Sequence, residues 1–209
     1  MLLGRITATV AIVSAFVFIT PVSAQTRAVA TRDTAVFAGG CFWGVQAVFA
    51  RVKGVTSSVS GYAGGKMINP SYEDVSTGST GHAESVQVIY DPAKVSYSQL
   101  LEVFFGVAHD PTQLNFQGPD HGTQYRSAIL FRSPAQQTAA NAHIAKLTQT
   151  KQFTHPIVTE VSALRTFYPA EAYHQGYFDT HPDQPYIVYN DKPKVAALKK
   201  QFAGLYNGK

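Results

Sequence analysis

The chain has 209 residues, 17 Lys and Arg against 13 Asp and Glu for a net charge of +4, and one cysteine, Cys41. That length suits one domain. The basic residues are scattered rather than gathered into a stripe interleaved with aromatics, which argues against nucleic-acid binding. A lone cysteine excludes an internal disulfide and a thiolate zinc site. The histidines show no His-Glu-x-x-His spacing, so no metal is expected.

Arg5 followed by the uncharged, mostly apolar run Ile6 to Ile19, the break at Pro21, and the small residues of Val22-Ser23-Ala24 read as a secretory signal over residues 1–24, cleaved near Ala24. The run is shorter than the roughly 20 residues that span a bilayer; a retained anchor is the alternative. The remainder, residues 25–209, is then exported to a periplasm or secreted. Ala35-Val36-Phe37-Ala38 predicts a buried strand ending at Gly39-Gly40. Val45, Val48, Phe49 and Val52 form the apolar stripe of a helix stopped at Gly54. Val55 to Gly61 suits a second strand, and a long loop follows from Gly64 to Gly81.

Val86, Val88 and Tyr90 alternate as a half-buried strand does, ended by Asp91-Pro92. Leu101, Phe104, Phe105 and Ala108 mark a second helix, before a loop from His109 to Thr123. Ser127 to Phe131 is a strand; Ser133-Pro134 then starts a helix carrying Ala140, Ile144 and Leu147. Ile157, Thr159 and Val161 suggest a further strand, and Val195, Leu198, Phe202 and Leu205 a final helix. Short strands alternating with helices give an α/β or α+β class, with helices packed on a mixed sheet in one domain.

The order strand, Gly-Gly, Cys, helix puts Cys41 at a helix N-terminus. Free backbone N–H groups and the positive end of the helix dipole favour a thiolate there. Phe42 and Trp43 set flat apolar surface beside the sulfur, a wall suited to a small apolar substrate group. An inert buried cysteine with two core aromatics is the plain alternative.

Gly39-Gly40-Cys41-Phe42-Trp43-Gly44 resembles the signature of the A-type peptide methionine sulfoxide reductases. Further segments match in order: Gly61-Tyr62-Ala63-Gly64-Gly65; Asn69-Pro70-Ser71-Tyr72, leading to Gly78-Ser79-Thr80-Gly81-His82-Ala83-Glu84; His109-Asp110-Pro111-Thr112; Asp120-His121-Gly122-Thr123-Gln124-Tyr125-Arg126-Ser127; Phe167-Tyr168-Pro169-Ala170-Glu171; and Tyr173-His174-Gln175. The resemblance covers about Ala35 to Tyr189. It implies a two-layer α/β sandwich with a split βαβ, ferredoxin-like core over residues 25–209.

It also implies reduction of the S epimer of free or protein-bound methionine sulfoxide, with Cys41 attacking the sulfoxide sulfur. Glu84 matches the family's general acid, which requires a raised pKa. Tyr62 and Tyr125 match tyrosines that hydrogen-bond the sulfoxide oxygen. Asp120 matches a substrate-orienting acid, and Phe42 and Trp43 the S-methyl pocket. His174 and Tyr177 are further candidates for substrate binding; a structural hydrogen-bonding role is equally open for His82 and His174.

Attack leaves Cys41 as a sulfenic acid. The tail Gly204 to Lys209 holds no resolving cysteine, a departure from many family members. Pro119, where the family more often has Asn, is another. With no bound cofactor, recycling falls to an external thiol: glutathione-like, glutaredoxin-like or thioredoxin-like. The enzyme is expected to act as a monomer. Two rival classes stand beside this reading. One is a cysteine hydrolase or acyltransferase pairing Cys41 with His82 or His174; the other is a non-catalytic module that captures methionine-rich segments.

Overall fold

An apolar run with no polar face belongs at the centre of a sheet, and β1 (Asp33–Gly39) lies there, sharing its edges with β3 (Ala83–Tyr90) and β6 (Ser127–Phe131). The computed structural model describes residues 32–209 and Met1, so the signal proposed for residues 1–24 lies outside the described residues. The sheet is completed by β2 (Val55–Ala63), β7 (Glu160–Ala163) and β8 (Phe167–Pro169). Its order is β7-β6-β1-β3-β2-β8, antiparallel throughout except for the parallel pair β6 and β7. The mixed sheet expected from the sequence is therefore present.

Helices cover one face. Phe37, Val86, Val88 and Ile129 of the sheet join one core with Val45, Val48 and Phe49 of α1 (Phe42–Ala50) and Leu100 and Leu101 of α3 (Tyr97–Val103). Phe37 stacks between Phe49 and Phe104, with ring centroids 5.1 and 4.8 Å away. Burying large rings there supplies most of the adhesion between the layers. The long helix α4 (Pro134–Gln149) starts as its sequence predicts: the Ser133 hydroxyl accepts from the Gln136 N–H, and Pro134 occupies the first turn.

Several expectations are corrected. The supposed loop from Gly64 to Gly81 contains a short helix, α2 (Tyr72–Ser76), held by a reciprocal capping box between Ser71 and Asp74. The loop from His109 to Thr123 contains a two-residue ladder, β4 (Phe116–Gln117) with β5 (Asp120–His121). The helix expected through Ala108 changes at Val103 into a wider π turn, Phe104–Ala108. The strand expected from Ile157 starts only at Glu160, because Thr159 ties its hydroxyl to Ser127 and Val158 its N–H to Pro111. The C-terminal helix, α6 (Lys192–Gln201), ends before Phe202. Among the described residues no helix is long and apolar enough to cross a membrane.

The connection from β1 to α1 is the part that matters for chemistry. Gly40 turns the chain with φ of 82°, and a β-carbon there would lie 2.4 Å from Gln117 Cγ. Gln117 cannot give way easily, since its amide both accepts from the Asp110 N–H and donates to the Asp110 carbonyl, each at 3.0 Å. Gly40→Ala is expected to cost about 1–3 kcal/mol, read as a lowered midpoint in urea unfolding. An unchanged midpoint would show that this turn does not constrain the approach to Cys41.

Candidate active site

The turn at Gly40 leaves Cys41 as the N-cap of α1, as the sequence predicts. On β3, Glu84 lies two residues before Val86 and so shares the helix-covered face with Val86 and Val88. It ends up beneath the first turn of α1, where its Oε2 accepts from the Phe42 N–H at 3.0 Å. Cys41, Phe42, Trp43, Glu84, Asp120 and Tyr125 line one cavity of about 270 Å³, joined by Tyr72, Gln184 and Tyr186. Six residues named from the sequence are thus gathered from α1, β3, β5 and the turn before β6.

The aromatic wall is braced rather than merely packed. Tyr177 stacks on Trp43 at 3.8 Å between centroids and Tyr186 meets it edge-on. The indole N–H donates to His174 Nδ1 at 3.1 Å. The Tyr186 hydroxyl donates to Asp120, which fixes that carboxylate at the cavity edge. Tyr72 is held through its backbone: its N–H donates to Glu171 Oε1 at 2.8 Å.

Electrostatics divide the site. Glu84 is 3% exposed. Burial pushes its pKa from 4.5 up to about 8, against the Phe42 N–H and helped by the negative charges of Asp120 and Asp191. At neutral pH this carboxyl carries a proton. Cys41 corrects an expectation. The Trp43 N–H favours the thiolate as a helix N-terminus should, yet burial, then the charges of Glu84 and Asp191, outweigh it and raise the thiol well above its ordinary value. The sulfur rests as a thiol, at 8% exposure, and lines the cavity.

Three candidates fall outside the cavity. Tyr62 is fully buried on β2, and its hydroxyl donates to Glu171 Oε2 at 2.8 Å. Opposite Glu84 in the ladder, it packs beneath Phe42, and Tyr72 occupies the cavity position expected of it. His174 and Tyr177 hold Trp43 from behind rather than lining the space. His82 serves the loop before α2: Nδ1 accepts from the Gly65 N–H, and Nε2 pairs with the Met67 carbonyl. Tyr72 was overlooked because its segment reads as loop, although Ser71 with Asp74 three residues later is a helix-start signal. Gln184 and Tyr186 carry no sequence signal; only the return of the chain after α5 (Tyr177–Thr180) brings them over Cys41.

A buried thiol, a protonated carboxyl and phenols lining one aromatic-walled cavity define a cysteine enzyme that attacks an electrophile while protonating the atom displaced from it. The comparisons agree. Residues 33–205 match the model of the family peptide methionine sulfoxide reductase. The chain is 57% identical over 183 residues to peptide methionine sulfoxide reductase MsrA 2 of Mesorhizobium japonicum, covering 88% of this chain and 94% of the relative. It is 50% identical over 175 residues to MsrA of Polynucleobacter asymbioticus, covering 84% and 92%. Among solved structures, reduced Mxr1 of Saccharomyces cerevisiae superposes with a TM-score of 0.67 at 33% identity, covering 73% of this chain and 87% of that one. Methionine sulfoxide reductase A of Corynebacterium diphtheriae gives 0.64 at 36%, covering 72% and 76%. The chain belongs to the peptide methionine sulfoxide reductase family.

The two tyrosines separate cleanly by experiment. Tyr72→Phe is expected to lower turnover of methionine sulfoxide about tenfold or more, as loss of a donor facing the reacting oxygen does. Tyr62→Phe is expected to cost about 1 kcal/mol of stability with turnover nearly intact. The reverse pattern would return Tyr62 to the substrate.

Proposed function

We propose that the chain reduces the S epimer of methionine sulfoxide, free or in proteins, and that Cys41 is the attacking sulfur. A sulfoxide has an electrophilic sulfur and an oxygen that leaves only when protonated. Glu84 gives its proton to that oxygen as the Cys41 sulfur bonds to the substrate sulfur. The proton lost by Cys41 restores Glu84. Transfer of the hydroxyl to Cys41 then breaks the sulfur–sulfur bond and releases methionine, so that thiol plus sulfoxide become sulfenic acid plus thioether with atoms balanced. Tyr72 and Tyr125 stabilise charge on the oxygen, Asp120 orients the substrate, and Phe42 with Trp43 receives the methyl group. A chiral sulfoxide fits only one way when oxygen and methyl each have a fixed place, which supports selection of one epimer.

Two external thiols return the sulfenic acid to Cys41 thiol, forming a disulfide and water. The lone cysteine supports this route. The donor is a glutathione-like thiol, a glutaredoxin-like protein or a thioredoxin-like dithiol. The residues before Gln25 support export to a periplasm or secretion. The hydrolase alternative finds no support: among the described residues no hydrogen bond joins Cys41 to an imidazole, and His82 and His174 are engaged elsewhere.

The observation that carries this reading is the buried Glu84 carboxyl, bonded to the N–H of Phe42 and lining the same cavity as Cys41. Each methionine sulfoxide epimer is to be turned over with dithiothreitol as donor. The S epimer is expected to react, one dithiol oxidised per methionine formed, and Cys41→Ser to react with neither. Because the acid form of Glu84 does the work, kcat/KM should hold below pH 8 and fall as the pH passes about 8. Equal turnover of both epimers, or activity in Cys41→Ser, refutes the reading.

A further inference from the structure

Asp191 has no place in the mechanism above, yet it lies at the root of the cysteine's helix. It ends the π turn Ile187–Asp191 and begins α6, and its side chain is fully buried. Oδ1 accepts from Lys194 Nζ at 3.1 Å, while Oδ2 has no hydrogen-bond partner among the described residues. A buried carboxylate oxygen left unpaired is costly and is not explained by packing.

Its position follows from Gly44. This residue lies in the first turn of α1, the helix that Cys41 caps. A β-carbon on Gly44 would lie 2.1 Å from Asp191 Oδ1 and 2.9 Å from Lys194 Nζ. The Asp191 carboxylate therefore fills the space that a side chain at position 44, in the first turn of the cysteine's helix, would take. Glycine at 44 is required because anything larger would displace it.

We propose that Asp191, held against the first turn of α1 by Lys194, is a positioning residue for Cys41 whose buried charge governs how readily the sulfur gives up its proton. This rests on Cys41 being the reacting group, as proposed above. Charged and titratable groups converge on the sulfur from every side. Glu84 stands on β3, Asp120 on β5, Tyr72 on α2, Tyr125 before β6, and Tyr186 beside Asp120. Asp191 and Lys194 approach from the C-terminal segment and act in opposite senses, the carboxylate more strongly. The consequence suits an enzyme without a resolving cysteine. A thiol that keeps its proton resists stray oxidants, which attack thiolates. Only a bound sulfoxide, next to Glu84, supplies the route by which that proton leaves.

The test is the pH dependence of iodoacetamide alkylation of Cys41, which is independent of reductase turnover. In the unmodified protein the midpoint is expected above the ordinary thiol value of about 8.5. Asp191→Asn leaves the Lys194 charge unopposed by its partner. It is expected to move the midpoint down by a unit or more, making alkylation near pH 7 about tenfold faster. A double variant, Asp191→Asn with Lys194→Met, removes both charges of the pair and should shift the same way by less. It serves where the single variant is unstable. A merely structural role would lower the melting temperature without moving the midpoint. An unmoved midpoint in either folded variant, or an ordinary midpoint in the unmodified protein, overturns the proposal. Failure of the protein to reduce methionine sulfoxide would instead bear on the function proposed above.

Discussion

The removal of one carboxyl group from water governs this structure's chemistry. Glu84 is buried under the first turn of a helix, where a backbone N–H would favour its charge and desolvation opposes it. Desolvation prevails. Lifting a carboxyl from 4.5 to about 8 corresponds to roughly 5 kcal/mol of preference for the neutral form. The same burial keeps Cys41 protonated, so two protons line one cavity. A sulfoxide needs both: one reaches its oxygen, and the other must leave the attacking sulfur.

The fold supplies this arrangement through alignment rather than through a special motif geometry. Antiparallel pairing of β1 with β3 sets Phe37 against Val86. Glu84 therefore arrives level with the Gly39-Gly40 turn, and the helix that follows roofs it. The C-terminal third then closes the site. Tyr177 and His174 support Trp43 from behind, Tyr186 holds Asp120, and Glu171 joins the hydroxyl of Tyr62 to the backbone of Tyr72. Residues distant in sequence thus position a reactive centre built largely near the start of the domain.

What was legible in the sequence follows a physical division. An unbroken apolar run marks β1, periodicity marks α1, β3 and α4, and the Gly-Gly-Cys junction places the sulfur at a helix start. Short elements stabilised by tertiary contacts, such as α2 and the β4–β5 ladder, have too few residues to show a period. Cys41, Phe42, Trp43, Glu84, Asp120 and Tyr125 were found because they belong to contiguous segments resembling one family. Tyr62 also lies in a matching segment, and only the fold shows that its hydroxyl is engaged by Glu171 behind the wall while Tyr72 lines the cavity. The protonation of Cys41 was misjudged for a different reason. A helix N-terminus is visible in sequence, but the burial and the distant carboxylates that outweigh it are not.

The most direct measurement is the titration of Glu84 itself, by carbon-13 chemical shift of the side-chain carboxyl in labelled protein, assigned with Glu84→Gln. The account predicts a midpoint at about 8, far above the ordinary 4.5. A midpoint near 4.5 would leave a carboxylate facing the sulfur at neutral pH and would contradict the account.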